Sequence, residues 1–243
     1  MKVKRRKIIP IVFLFLVLII LSPCSRALAE PLDSRWKWYY TTEDGMFHYD
    51  FYYDNKTIEY NAKEKVAKVR ELFIPRPGDQ SKNLSVTAIS FNNKSYNILQ
   101  YVTYNKNGEP AQGPLAETSA WTAVPPDTQI EALANRIAAE LRIKPLYKGG
   151  SDRWKWLRSA NNYNLYIAKD TLIYNPEKAE YTIWAKKVYA NNSESKLLYS
   201  SSLSNMTIWR PKSNQHRTPQ RPIPESDEEY IYNAIKDEAK HLK

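Results

Sequence analysis

The sequence predicts an α+β protein made of two tandem repeats, each an antiparallel β-meander sheet followed by one C-terminal helix packed on it. Three observations carry that expectation. The tetrapeptide Arg-Trp-Lys-Trp occurs twice, at Arg35–Trp38 and Arg153–Trp156. Further landmarks recur behind each copy in the same order. Each series then closes where apolar residues change from alternation to helical spacing, behind a threonine or serine with glutamate three residues on.

Residues 1–29 predict a signal peptide and stand outside the fold. Lys2–Lys7 is basic, Ile8–Leu21 is apolar, and Ala27-Leu28-Ala29 is a small-x-small cleavage site. The apolar run is shorter than the roughly 20 residues of a spanning helix, so cleavage after Ala29 is expected. The alternatives are an uncleaved anchor and a lipidated Cys24, for which Pro23 is a poor neighbour. Cys24 is the one cysteine, so the exported chain carries neither disulfide nor thiol. Six of the excess positive charges lie in this segment, which reduces the net charge from +10 to about +4 and removes the apparent nucleic-acid signature. What remains is uneven, about −1 over residues 30–145 and about +5 over residues 146–243. These two stretches are the expected units, the second shortened.

Within the first unit, Met46–Tyr53, Val66–Phe73, Asn83–Phe91 and Ser95–Tyr104 are rich in aromatic and β-branched residues. Asp54-Asn55, Pro75–Gly78, Asn92-Asn93 and Asn105–Pro110 separate them, the punctuation of a meander. Ile130, Leu133, Ala134, Ile137, Ala138 and Leu141 then share one helical face behind Thr128-x-x-Glu131. In the second unit Thr171, Tyr174 and Asn175 repeat Thr57, Tyr60 and Asn61 at a spacing of 114. Ser226-x-x-Glu229 repeats the capping box before Ile231, Ala234, Ile235, Ala239 and Leu242. Side chains alternate along a strand, so Trp36 and Trp38 share a face, as do Trp154 and Trp156. Together with Trp121 and Trp184 they are expected as structural core; an aromatic platform for sugars or bases is the alternative.

These landmarks resemble the bacterial surface-adhesin E-like domains in two tandem copies, the second degenerate. The first copy supplies Trp36 and Trp38, Thr57–Asn61, Tyr96–Leu99 with Tyr104–Gly108, and Trp121 to Leu133. The second supplies Trp154 and Trp156, Thr171–Asn175, Ile183-Trp184 and Ile223-Pro224. Where many members carry a cysteine pair, this chain has Phe91 and Ala138, which the resemblance implies are in contact. It also implies adhesion to host proteins such as plasminogen, vitronectin or laminin, and no binding residue carries over by motif.

The residues give catalysis little footing. His48, His216 and His241 lie in separate regions without metal-ligand spacing, and neither GxGxxG nor GxxxxGK occurs among six glycines. Glu43, Asp44, His48 and Asp50 around Gly45 are explained by a turn and a solvated strand face. No enzyme activity, cofactor, metal or nucleic-acid partner is therefore expected. Two segments are candidate partner sites. Arg210–Pro224 holds four prolines and the basic Arg210, Lys212, Arg217 and Arg221, suited to an acidic partner or to a linker. The end of the chain presents Lys240 and the terminal Lys243, of the kind that lysine-reading modules capture. The expected function is an exported, non-enzymatic, protein-binding envelope or surface protein; a periplasmic accessory protein without host ligands is the alternative. An open edge strand leaves homodimer formation open.

Overall fold

The computed structural model describes residues 33–42, 48–76, 81–111, 120–211 and 219–242. The signal segment, Met46 and the Glu43–Gly45 turn lie outside the described residues. The chain divides into two compact units, Met1–Trp36 and Lys37–Lys243; in the first, only residues 33–36 are described.

Two sheets follow one another. The first comprises β1 (Trp36–Thr42), β2 (His48–Asp54), β3 (Glu59–Asn61), β4 (Val66–Arg76), β5 (Lys82–Ser90), β6 (Ser95–Tyr104) and β7 (Thr122–Ala123). Its order is β1-β2-β4-β5-β6-β7, with β3 pairing β4. After α1 (Gln129–Leu141) come β8 (Trp154–Ser159), β9 (Tyr163–Ala168), β10 (Ile173–Asn175), β11 (Glu180–Tyr189), β12 (Glu194–Ser202) and β13 (Thr207–Trp209), then α2 (Asp227–Glu238). The second order is β13-β12-β11-β9-β8, with β10 pairing β11.

The echoes in the sequence are hydrogen-bond devices. Thr57 Oγ1 donates to the Asp54 carbonyl at 3.0 Å and accepts from the Arg70 N–H at 3.2 Å. Thr171 Oγ1 donates to the Ala168 carbonyl at 2.7 Å and accepts from the Trp184 N–H at 3.0 Å. Asn61 Oδ1 accepts from the N–H groups of Lys63 and Glu64, as Asn175 Oδ1 does from Glu177 and Lys178. Each threonine thus ties a turn to the long central strand, and each asparagine closes the following hairpin as an Asx-turn. The shortening falls late in the second copy, where β13 has 3 residues against 10 in β6.

The α+β class expected from the sequence is corrected. Strand accounts for 47% of the described residues, against helices of 13 and 12 residues, so the described protein is mainly β, two antiparallel sheets with two short helices. A helix is about 10 Å wide, and a path of six strands about 4.8 Å apart is roughly 25 Å across. One short helix is therefore a small element beside such a sheet. Apolar periodicity over a dozen residues reports that a helix forms, and carries no measure of how much sheet surrounds it.

Two cores lie along the chain. The first gathers Tyr39, Phe51, Tyr53, Ala67, Val69, Ile89 and Val124 with Ile130, Leu133 and Ile137 of α1, and takes in Leu146 and Tyr147 beyond it. The second gathers Leu165, Ile167, Ile183, Tyr199 and Ile208 with Ile231, Ala234 and Ile235 of α2. Burying each of these isoleucines contributes about 1.5–3 kcal/mol. Phe91 packs at the margin of the first core, and Ala138 is buried on α1.

None of the seven tryptophans belongs to either core, which corrects their expected role. Trp38, Trp121 and Trp156 are exposed, while Trp36, Trp154 and Trp184 are half-buried. The alternation was sound but the face was the other one. In β1 the inward residue is Tyr39, and the Trp38 indole instead donates to Thr41 Oγ1 at 3.0 Å. In β8 it is Leu157 that packs on the second core, beside an irregularity in pairing between Trp156 and Arg158.

Candidate functional site

Of the partner-binding candidates, Lys212, Arg217 and Lys243 lie outside the described residues. Arg221 is exposed, and Lys240 is exposed with its Nζ 2.8 Å from Asp237 Oδ1. Arg210 lines a cavity. Among the described residues no group of histidine, cysteine and acidic side chains could hold a metal, and no helix is long and apolar enough to cross a membrane.

The cavity at Arg210 is one end of a groove between elements of the two sheets. A space of about 440 Å³ is bounded by Trp121, Trp184, Leu198, Lys196 and Arg210. It shares Trp121, Ala123, Trp184 and Leu198 with a neighbouring space of about 770 Å³, whose walls add Tyr174, Tyr147 and the asparagines Asn92, Asn93 and Asn175. Local structure presents each group. Asn92 and Asn93 lie in the β5–β6 turn, which Lys94 closes with a left-handed φ of 49°. Tyr174 projects from β10, its ring centroid 4.7 Å from that of Tyr181. Trp121 directly precedes β7.

Behind the groove, Arg153 fixes how the halves meet. It is 5% exposed, and its guanidinium is shared by three carboxylates. Nη2 donates to Glu131 Oε1 at 2.6 Å, Nη1 to Glu131 Oε2 at 2.9 Å and Asp127 Oδ1 at 2.7 Å, and Nε to Asp170 Oδ2 at 3.1 Å. Burial lowers its pKa, but the hydrogen bonds and charge of Glu131, with the charges of Asp170 and Asp127, overcome that, and the net shift is upward. Glu131 itself is the capping-box glutamate of α1, accepting from the Asp127 N–H at 2.7 Å. Trp154 Nε1 donates to Asp127 Oδ2 at 2.7 Å, and Lys196 Nζ to the Asp127 carbonyl at 3.0 Å. The first helix start is thereby clasped by β8 and β12.

Tyr147 stands between these features. Its hydroxyl donates to the Val124 carbonyl at 2.7 Å, and burial, then the charge of Glu131, pushes its pKa up. Lys94 Nζ lies 4.8 Å from the Tyr147 ring centroid, a cation–π contact. Burial lowers the pKa of Lys94 and of Lys196, against the charges of Asp170 and Asp127 respectively.

Sequence patterns pointed past this network. Arg153 stands in the repeated tetrapeptide, where the tryptophans were the conspicuous residues, and Glu131 was visible only as a helix cap. The available signal was the spacing of Asp127 and Glu131 around Thr128, which puts two carboxylates at one helix start. Lys94, Tyr147 and Asp170 carry no motif.

No family model, no curated protein and no solved structure matches the chain.

Proposed function

We propose that the protein is an exported, non-enzymatic binding protein of a bacterial envelope, akin to the surface-adhesin E-like domains it resembles, and that it holds other proteins in the groove around Trp121. The observation that carries this is the convergence of Trp121, Trp184 and Tyr174 on one open groove, with Trp121 47% and Tyr174 45% exposed. Large aromatic rings left in water beside Arg210 and Lys196 have the composition of a protein-binding hot spot. The half-buried Lys94 and Lys196, both losing charge stability to desolvation, favour an occupant that brings carboxylates, so the partner segment is acidic with apolar anchors.

The test is binding of the purified protein to immobilised plasminogen, vitronectin and laminin by surface plasmon resonance, with Trp121→Ala and Tyr174→Ala alongside. Saturable binding to one of them, weakened about 30-fold or more in the variants as truncation of a hot-spot residue does, is the expected result. Both side chains are exposed, so the variants keep their fold. Failure to bind all three would remove this function and favour a periplasmic accessory role.

A further inference from the structure

On the other side of Tyr147 lies a second cavity, of about 770 Å³, walled by the loop from Lys144 to Gly149, by the turn at Lys169 and Asp170, and by the end of the chain near Leu242. Its charge is lopsided. Every carboxylate on its wall is engaged: Asp170 Oδ2 by Arg153 and by the Gly149 N–H at 2.8 Å, Asp152 by Lys169 at 3.3 Å, and Glu238 by Lys155 at 2.8 Å. Lys94, Lys144 and Lys148 face the same space and form no ion pair among the described residues. Lys94 is the telling one, since among the described residues its half-buried ammonium has only the Asp170 carbonyl at 3.5 Å and the Tyr147 ring as partners. Like charges gathered around a partly closed space are stabilised by an anion that enters it.

A second observation narrows the ligand. Asp170 Oδ1 is buried and has no hydrogen-bond partner among the described residues, although Oδ2 has two. A buried acceptor left unpaired is costly and is satisfied by a donor from outside the protein. Pro145, Leu146 and Leu172 supply apolar wall on the same cavity. We infer that this cavity binds a phosphorylated polyol or sugar, its phosphate held by Lys94, Lys144 and Lys148 and one of its hydroxyls donating to Asp170 Oδ1. Lysine suits the phosphate as a point charge with rotatable donors. The cavity adjoins the protein-binding groove and shares Lys94 and Tyr147 with it, whereas Lys144 and Lys148 line this cavity and not the groove, so their double variant tests the phosphate site independently of a groove partner.

Calorimetric titration of the purified full chain with glucose 6-phosphate, inorganic phosphate and glucose decides the matter. Glucose 6-phosphate should bind saturably at one site, at least about tenfold more tightly than inorganic phosphate, as one added hydrogen bond to a charged group implies. Glucose should not register. Phosphatidylcholine vesicles doped with phosphatidylinositol 4-phosphate, compared with undoped vesicles, separate the two sources of such a group; binding there alone assigns it to a lipid headgroup. Lys94→Ala should weaken binding about tenfold or more. The double variant Lys144→Ala/Lys148→Ala, at two exposed positions that leave the fold intact, should do the same. Absence of binding to every phosphate probe, equal affinity for inorganic phosphate, or indifference to both variants would overturn the proposal.

Discussion

At the centre of the first sheet a buried glutamate, Glu71, accepts from the Tyr39 hydroxyl at 2.6 Å and from Ser85 and Thr87, whereas the matching place in the second sheet is apolar. Glu71 faces Ser85 across β4 and β5; 114 residues on, Ala185 faces Leu197 across β11 and β12. Thr87 is matched by Tyr199, and Tyr39 by Leu157, which packs on the second core. The capping glutamates at the two helix starts differ in the same sense. Both have a left-handed residue before the cap, Asp127 and Glu225, and a glutamate reaching back to its N–H at 2.7 Å. Yet Glu131 is buried against Arg153, while the Glu229 bond lies at the surface. One topology has kept its hydrogen-bonded turns with different buried charges, Glu71 inside the first sheet, the Arg153 cluster at the first helix start and, at the second helix start, Asp227 with Lys187 Nζ at 2.7 Å.

The sharpest way to break the comparison is Arg153→Ala. Removing the guanidinium leaves Glu131 and Asp170 buried without compensation, which costs about 3–5 kcal/mol; urea denaturation of the variant reads it directly, and a loss below 1 kcal/mol would contradict the role given to this residue. Glu131→Ala against Glu229→Ala comes next. The first loses a buried ion pair as well as a cap and should cost about 3 kcal/mol or more, the second a surface cap contact of about 0.5–1 kcal/mol. Equal costs would erase the distinction between the two starts.

Glu71 makes the contrast depend on pH. Burial raises its pKa above the ordinary carboxylate value although three hydroxyls donate to it. The folded state therefore binds the proton more tightly than the unfolded one. Its contribution to stability is full below the unfolded pKa and is lost as pH rises through the folded one. Glu71→Gln should flatten that fall in melting temperature between acid and neutral pH. An unchanged profile would place the titration elsewhere. The smallest expected difference is between Thr171→Val, about 1–3 kcal/mol because the Trp184 N–H loses its partner at a buried site, and Thr57→Val, about 0.5–1 kcal/mol at a more exposed one.

Much of the backbone was legible in local chemistry. The strand Ser95–Tyr104 has the bounds its residues suggest, and Thr128 and Ser226 cap their helices through N–H groups of Glu131 and Glu229. Such features depend on neighbours within a few residues. The class of the fold was misjudged because the extent of a sheet is a long-range property. So was the face of each tryptophan pair, since alternation distinguishes two faces without saying which one meets the core. The groove and the lysine-lined cavity were invisible for the same reason: Lys94 and Asp170 stand 76 residues apart in the chain.

The clasp at the first helix start also decides where this chain can be divided. Asp127 and Glu131 lie before the loop from Lys144 to Gly150, and Arg153 and Asp170 lie after it. A cut in that loop would leave each fragment displaying half of one charge network, together with half of the groove and of the lysine cavity. Each piece is then the complement that the other lacks. Produced separately and mixed, they should find one another and rebuild the molecule, a property that two self-sufficient modules on a tether would not have.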